Sequence, residues 1–209
     1  MKLLVVGGGG REHAIIKKLK ENPRVETVYA LPGNGGIARD AVCVPEIGAR
    51  DIEKIVDFAR SHSIDFAVVA PDDPLALGCV DRLHEAGVPC FGPDAKAARI
   101  EASKVFSKNL MKKYGIPTAR YEVFDDPARA LAYLRSGVSF PIVVKADGLA
   151  LGKGVLIPQS LEEAEAAVRS IMEDKAFGDS GNQIVVEEFL TGPEVSVLAF
   201  TDGRSIAPM

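Results

Sequence analysis

The chain has 209 residues, a formal net charge of −4 and 47% hydrophobic residues, so one or two domains with a buried core are expected. The acidic balance argues against non-specific binding of nucleic acid. No apolar run reaches the ~20 residues that a membrane-spanning helix needs, and Leu3–Val6 is too short for the apolar core of a signal peptide. We therefore expect a cytoplasmic protein that binds neither nucleic acid nor membrane.

The three cysteines, Cys43, Cys79 and Cys90, lie far apart in the sequence. Their spacing matches none of the paired patterns that bind zinc. We expect reduced thiols in the core, which is the usual state in a cytoplasm.

The first hundred residues predict an α/β fold with a doubly wound parallel sheet. Leu3–Val6 is a continuous apolar run, typical of a strand buried on both faces. It leads through the glycines Gly7–Gly10 into a helical pattern. Further apolar runs predict strands at 26–31, 41–44 and 66–70, and apolar residues at helical spacing predict helices after Asp51 and over 75–86.

The Gly7–Gly10 turn lies between a strand and a helix, where backbone N–H groups are presented to an anion. Compared with the fingerprint G-x-G-x-x-G, the turn has Glu12 or His13 in place of the third glycine. The next strand ends in Pro32-Gly33 and lacks the acidic residue that holds a ribose. The turn therefore favours phosphate or substrate over a dinucleotide.

Three loops, Gly7–Gly10, Gly33–Gly36 and Pro71–Pro74, follow predicted parallel strands. Ligands of open α/β sheets bind at the carboxyl ends of the strands, so these loops are expected to line one ligand-binding edge. Each loop taken alone is equally compatible with ordinary turn chemistry.

After Gly92-Pro93 the pattern changes to an amphipathic helix that ends near Gly115, followed by a small α+β unit. Asp126 and Ser160 are predicted N-caps of its helices. The predicted strands of this unit are 121–124, 141–145, 155–158, 183–188 and 194–200. We predict a substrate domain over 1–117, a small lid subdomain over 118–192, and the first strands of a further subdomain over 193–209.

The segment Val143–Ile157 places a glycine-rich loop between two strands. It is not a P-loop, because three residues separate Gly148 from Gly152, Lys153 is followed by glycine, and a strand follows where a helix would begin. The pattern predicts a flap that folds over phosphates; a flexible surface hairpin is the alternative.

Charged residues surround this flap. Lys145 lies on the preceding strand and favours a phosphate partner, or else extends its ammonium group from the strand end into solvent. Glu187, Glu188 and Glu194 flank a strand end that would hold an adenosine, or else form a solvated acidic hairpin.

Several motifs resemble the phosphoribosylamine–glycine ligase (glycinamide ribonucleotide synthetase) family of the ATP-grasp superfamily. They are Gly9-Gly10-Arg11-Glu12-His13, the Pro32–Gly36 loop, Phe91-Gly92-Pro93, Ser103-Lys104, the Lys145–Gly154 flap and the Glu187–Glu194 linker. The resemblance covers all 209 residues and corresponds to the N-terminal half of family members. It implies a Rossmann-like pre-ATP-grasp domain followed by the small α+β ATP-grasp subdomain.

The resemblance also implies a reaction: ATP, with Mg²⁺, phosphorylates glycine, and 5-phosphoribosylamine attacks the glycyl phosphate to give glycinamide ribonucleotide, ADP and phosphate. The residues implied to contact ATP are Lys104, Lys145, Gly148, Gly152, Lys153, Gly154, Glu187, Leu190 and Glu194. Those implied to contact the substrate are Gly8, Gly9, Arg11, Glu12, Gly33, Asn34, Gly36, Pro71 and Asp72. The resemblance assigns no catalytic nucleophile or base, and it places the Mg²⁺ ligands outside this segment.

The chain departs from the family pattern near the expected substrate pocket. Ala70-Pro71-Asp72 replaces Gly-Pro-Glu and Asp73 adds a charge, while Ala102 replaces glycine and Leu151 replaces alanine. Another ATP-grasp carboxylate–amine ligase and a non-catalytic nucleotide-binding module are the alternatives, and we expect this segment alone to be inactive.

Overall fold

The computed structural model describes residues 1–149 and 154–209 and contains a parallel sheet followed by an antiparallel sheet. The strands are β1 (Lys2–Gly7), β2 (Thr27–Pro32), β3 (Val42–Cys43), β4 (Phe66–Val69), β5 (Cys90–Phe91), β6 (Tyr121–Phe124), β7 (Ile142–Ala146), β8 (Val155–Leu156), β9 (Ile184–Glu188), β10 (Ala199–Thr201) and β11 (Ile206–Pro208). The α-helices are α1 (Gly10–Lys20), α2 (Ile52–Ser61), α3 (Asp72–Ala76), α4 (Cys79–Glu85), α5 (Ala95–Ala102), α6 (Lys104–Lys113), α7 (Pro127–Arg135) and α8 (Leu161–Val168). Shorter 3₁₀ or π-helical turns cover Ile37–Arg39, Arg169–Glu173 and Gly178–Asn182.

The first sheet is parallel and has the strand order β3-β2-β1-β4-β5. Alternate residues of β1 enter two separate cores, Leu4 and Val6 on one face and Leu3 and Val5 on the other. Because successive side chains of a strand point to opposite faces, a strand covered on both faces must be apolar throughout. The predicted doubly wound α/β class is confirmed.

The second sheet has the order β6-β9-β7-β8, with antiparallel pairs throughout. Its inner face buries Ile142, Val144, Ile184 and Val186 in one core with residues of α7 and α8. The opposite face carries the alternating residues, among them Lys145, and lies towards α6. The predicted small α+β unit is therefore present, and its position leaves one sheet face available for charged groups.

Two of the three predicted helix N-caps, Asp126 and Ser160, are found in the structure. The Asp51 side chain was also expected to cap α2, but it makes no hydrogen bond to that helix and accepts the Gly48 N–H at 3.0 Å instead. The Asp126 carboxylate accepts the Ala128 N–H at 2.9 Å, and the Ser160 hydroxyl accepts the Glu163 N–H at 3.3 Å. Glu163 reaches one residue further back than a standard capping box, because its carboxylate accepts the Gln159 N–H at 2.8 Å.

Two expectations about secondary structure were wrong, and one helix was not predicted. The helix predicted over 75–86 is two helices, α3 and α4, because Gly78 between them has φ +80°, a left-handed conformation that interrupts a helix. Helix α5 had no sequence expectation, although Asp94 caps it by accepting the Ala97 N–H at 2.7 Å.

The strand predicted over 194–200 starts only at Ala199 and pairs with β11. Apolar and β-branched residues such as Val195 and Val197 favour a strand, but both are exposed and have no paired strand among the described residues. Pairing, rather than propensity, therefore determines where this strand begins.

No helix in the described part of the chain is both long and apolar enough to span a membrane.

The thiols of two cysteines have pKa values well above the usual range. Burial raises the pKa of Cys79 to about 12 and that of Cys90 to about 11, with smaller contributions from the neighbouring Cys90 and Asp81 respectively. Both thiols are therefore protonated at neutral pH, and the thiolate is the reactive form.

Because both thiols stay protonated in the folded protein, we expect them to be alkylated slowly. Iodoacetamide at pH 8 should leave Cys79 and Cys90 unmodified in the native chain and modify both after unfolding in guanidinium chloride, as measured by peptide mass spectrometry. The unfolded sample serves as the control for reagent activity. Rapid modification of native Cys79 would show that this thiol is neither buried nor protonated.

Candidate functional site

A cleft of about 1080 Å³ opens where the direction of winding of the parallel sheet reverses. Strands β1 and β4 are neighbours, but the chain leaves β1 towards β2 and leaves β4 towards β5. The loops that follow them therefore diverge and leave a crevice at the carboxyl edge, the usual ligand site of such sheets. The residues lining the cleft are Gly9, Gly10, Arg11, Glu12, Ile15, Ala70, Pro71, Asp72, Asp73, Glu101, Lys104, Gly148, Leu149, Gly154 and Val155.

The cleft joins two regions that are distant in the sequence. Gly9, Arg11, Glu12, Pro71 and Asp72 were expected to contact the substrate, and all five line its wall on the side of the parallel sheet. The opposite wall contains three residues expected to contact ATP: Lys104, Gly148 and Gly154.

The Glu12 carboxylate shapes the glycine turn on the parallel-sheet side. Its Oε2 accepts the Gly9 N–H at 2.6 Å, and the side chain is buried. Gly7 has φ +126°, and an added Cβ would lie 2.7 Å from Glu12 Cγ. The turn can therefore follow this path only with glycine at this position.

The Gly33–Gly36 loop supports this turn from behind and does not line the cleft. Gly33 N–H donates to Gly7 O at 3.1 Å, and the Asn34 amide donates to Gly8 O at 2.7 Å. Asn34 Oδ1 also accepts the N–H groups of Gly36 at 2.7 Å and Ile37 at 2.9 Å. Asn34 therefore connects the loop to the turn.

A second contact anchors the same loop region. His13 Nε2 lies 2.7 Å from Asp40 Oδ2. The hydrogen bond from His13 lowers the pKa of Asp40 below its usual range, assisted by Lys17 and Lys20 and opposed by partial burial. This pair joins α1 to the segment that follows the Ile37–Arg39 turn.

The base of the flap is attached to the N-terminus of α6. The Asp147 carboxylate accepts the Val105 N–H at 3.1 Å and the Ser103 hydroxyl at 3.1 and 3.2 Å. Lys104 Nζ donates to Gly148 O at 2.9 Å. A carboxylate is favourable at a helix N-terminus, so Asp147 and Lys104 together hold the flap beside the cleft.

Ala150–Lys153 lie outside the described residues, so the structure does not place the predicted contacts of Gly152 and Lys153. Strand pairing resumes beyond them, where Gly154 O accepts the Ala146 N–H at 2.8 Å. The strands predicted before and after this segment are therefore both present, and they pair with each other as β7 and β8.

Lys145 and Glu187 form a separate charged cluster on the face of the second sheet that lies towards α6. Lys145 Nζ lies 3.0 Å from Glu187 Oε2, and Lys108 Nζ lies 3.3 Å from the same oxygen. Glu187 Oε1 is buried and has no hydrogen-bond partner among the described residues. An unpaired buried acceptor is costly, so Oε1 fits a site that receives a donor from a ligand.

The other residues expected at this strand end are not part of the charged cluster. The Arg120 backbone N–H and guanidinium lower the pKa of Glu188, which they contact at 2.8 and 2.7 Å. Leu190 and Glu194 are exposed, and neither lines the cleft.

Sequence reasoning missed Lys108, Asp147 and Glu101. Glu101 lines the cleft, Asp147 caps α6, and Lys108 contacts Glu187. Helical spacing places Lys108 on the same side of α6 as Val105, and this is the signal for its burial. Its partners come from other parts of the chain, and periodicity does not identify them.

The described residues contain no group of three or more His, Cys, Asp or Glu side chains placed to hold a metal ion. Mg²⁺ prefers carboxylate and water oxygens in octahedral geometry. We assign no metal ligand among the described residues.

A parallel sheet followed by an antiparallel sheet, with Lys104, Gly148 and Gly154 at a cleft, is the N-terminal architecture of ATP-grasp proteins. Two family models match the chain: the phosphoribosylglycinamide synthetase N domain over residues 1–101 and the ATP-grasp (A) domain of the same synthetase over residues 102–209. The chain belongs to the phosphoribosylglycinamide synthetase family.

Curated relatives agree with this family. The chain is 51% identical to phosphoribosylamine–glycine ligase of Allochromatium vinosum and 49% identical to that of Escherichia coli K12. Each match covers 100% of this chain and 49% of the relative. The chain therefore spans about half the length of the curated relatives it matches.

Solved structures show the same fold. Phosphoribosylamine–glycine ligase of Thermotoga maritima matches with a TM-score of 0.79 and 33% identity, over 100% of this chain and 49% of that protein. N5-carboxyaminoimidazole ribonucleotide synthetase of the same organism matches with a TM-score of 0.64 and 22% identity, over 90% and 46% of the two chains. The second likeness concerns the fold alone.

The backbone conformation and close packing of Gly33 predict that only glycine is tolerated at this position. Gly33 has φ +73°, and an added Cβ would overlap with Cys43 Sγ. We expect Gly33→Ala to lower the free energy of unfolding by about 1–3 kcal/mol through strain and steric overlap, measured by urea denaturation.

Gly35→Ala is the matched control for this substitution. An added Cβ at Gly35 has no atom within 4 Å, so its effect should be small. Equal stability of the two variants would contradict the packing described for the loop.

Proposed function

We propose that this chain supplies the substrate-binding wall and part of the nucleotide site of a ligase that joins glycine to 5-phosphoribosylamine. The products would be glycinamide ribonucleotide, ADP and phosphate, as in purine biosynthesis. Relatives named phosphoribosylamine–glycine ligase match the whole chain at about 50% identity, and this supports the reaction class.

The observation that carries the proposal is the cleft itself. Its two walls place Arg11 and the N-terminal end of α1 opposite Lys104 and the flap glycines. Helix N–H groups and an arginine bind the phosphate of a phosphorylated sugar amine. Lys104 would neutralise a nucleotide phosphate on the other side, which brings the two reactants to one space.

The proposed chemistry consists of two displacements. The ATP γ-phosphoryl group passes to a glycine carboxylate oxygen, and ADP leaves. The amine of 5-phosphoribosylamine then attacks the acyl carbon, phosphate leaves, and the nitrogen loses a proton. Positioning and charge neutralisation supply most of the catalysis in phosphoryl transfer, so a covalent enzyme intermediate is not required.

The residues of the nucleotide side fit this role. Lys145 is half-buried beside the flap, and Glu187 carries a buried acceptor with no partner among the described residues. We assign Lys104, Lys145 and Lys153 to the phosphates, with Gly148, Gly152 and Gly154 allowing close backbone approach. Glu187, Leu190 and Glu194 follow one another along β9 and the segment after it, and we assign them to adenosine.

The substrate side combines contact residues with supporting ones. Gly9, Arg11, Glu12, Pro71 and Asp72 line the cleft and are assigned to direct contact with 5-phosphoribosylamine. Gly8, Gly33, Asn34 and Gly36 form the hydrogen-bonded support behind the turn. Their role is to hold the turn in its ligand-binding conformation.

The proposed reaction can be tested by turnover. We expect the isolated 209-residue chain to form no glycinamide ribonucleotide from ATP, Mg²⁺, glycine and 5-phosphoribosylamine, because it spans about half the length of its curated relatives. Product formation would be followed by chromatography, with the full-length Escherichia coli relative as positive control. Product formation by the pure 209-residue chain would refute this expectation.

The phosphate contact assigned to Lys145 can be tested by substitution. In the complete protein that carries this sequence, Lys145→Met should weaken Mg·ATP binding by roughly ten- to hundredfold, the value of a charge-assisted hydrogen bond. Isothermal titration calorimetry measures the affinity. Lys54→Met, at an exposed lysine of α2, is the control, and an unchanged affinity in Lys145→Met would remove Lys145 from the site.

A further inference from the structure

The two lysines that contact Glu187 differ in how firmly they are held. The side chain of Glu187 is 6% exposed and that of Lys108 is 8% exposed, whereas that of Lys145 is 27% exposed. Lys108 lies within α6, and Lys145 lies on β7 just before the flap. One cation is therefore inside the protein and the other lies at the edge of the nucleotide site.

The Lys108 ammonium group has three close oxygen atoms inside the protein. Its Nζ donates to Thr118 Oγ1 at 2.7 Å and to Ala119 O at 3.3 Å, and it lies 3.3 Å from Glu187 Oε2. The ammonium group also lies 5.3 Å from the centre of the Tyr121 ring, a favourable cation–π distance. These contacts fix the charge in one place.

Lys145 has a single acceptor among the described residues, Glu187 Oε2 at 3.0 Å. An ammonium group carries three donors, so two remain for other partners. Lys145 can therefore exchange its contact with Glu187 for a phosphate by a change of side-chain rotamer.

Such an exchange removes one cation from the buried Glu187 carboxylate. Both lysines contact the same oxygen, Oε2, and Oε1 has no partner in the described part of the chain. If Lys145 were the only cation, its departure would leave a buried carboxylate unpaired, which is strongly unfavourable. Lys108 removes this penalty because it stays on Oε2 when Lys145 leaves.

We propose that Lys108 is a positioning residue that serves as the permanent counter-ion of Glu187 and so releases Lys145 to the nucleotide. The inference rests on the proposed function, since it takes Mg·ATP as the ligand of Lys145. Lys108 itself contacts no ligand in this scheme. Its effect on binding passes entirely through the Glu187 carboxylate.

A double-mutant cycle in the complete protein that carries this sequence tests the scheme. Mg·ATP affinity is measured by calorimetry for the unsubstituted protein, Lys108→Met, Glu187→Gln and the double variant. Lys108→Met should weaken binding by at least about tenfold, because Glu187 then retains Lys145. In the Glu187→Gln background the same change should have almost no effect, since no charge remains to hold Lys145.

The loss of the Lys108 effect in the Glu187→Gln background distinguishes positioning from general structural support. A lysine needed only for packing would weaken binding equally in both backgrounds. Lys112→Met, at an exposed lysine of the same helix, is the matched control and should bind like the unsubstituted protein. Thermal unfolding of each variant shows whether it is folded.

The outcomes are separable. The inference is overturned if folded Lys108→Met binds Mg·ATP like the unsubstituted protein, or if the double variant binds about tenfold more weakly than Glu187→Gln. If Lys108→Met does not fold, Lys108→Gln replaces it in both backgrounds, and the same two comparisons decide. Failure of the unsubstituted protein to bind Mg·ATP overturns the proposed function, and this inference with it.

Discussion

The buried carboxylate of Glu187 imposes the constraint on which the charged face of the antiparallel sheet depends. A carboxylate removed from water must be paired, and breaking such a pair by removing one partner costs about 3–5 kcal/mol. Here the partners are Lys108 of α6 and Lys145 of β7. Because the three residues come from three elements, this one neutralisation joins the helix that follows the parallel sheet to the face of the antiparallel sheet. The position of Lys145 beside the flap follows from that connection.

The cleft depends on a second connection at the other end of α6. Asp147 accepts the Val105 N–H and the Ser103 hydroxyl, and Lys104 donates to Gly148 O. The flap is thereby held opposite the carboxyl edge of the parallel sheet, where reversal of the winding direction between β1 and β4 already leaves a crevice. Neither half alone forms the cleft. It exists because local charge and hydrogen bonding place Gly148, Leu149 and Gly154 beside a sheet edge built from other residues.

Much of this architecture was predictable from local patterns. Continuous apolar runs identified four of the five strands of the parallel sheet, all but β5, and side-chain caps identified the starts of α7 and α8. The errors arose where non-local pairing or a single backbone conformation decides the outcome. Gly78 divides one predicted helix into α3 and α4, and the absence of a paired strand among the described residues keeps Val195 and Val197 out of a strand. The site residues followed the same division, since eight of those predicted from the sequence line the cleft, whereas Lys108 and Asp147 were not anticipated.

By itself the sequence determined the α/β class, the glycine turn after β1, the flap and the family, because these are encoded by residues that are neighbours in the chain. Periodicity, capping and glycine placement act over a few residues and can be read without coordinates. Only the tertiary structure decided that Asn34 supports the turn, that Asp147 anchors the flap, and that Glu187 is shared by two lysines. These contacts join residues far apart in the chain. Whether a charged side chain binds a ligand or another part of the protein is determined by what folding places within a few ångströms of it.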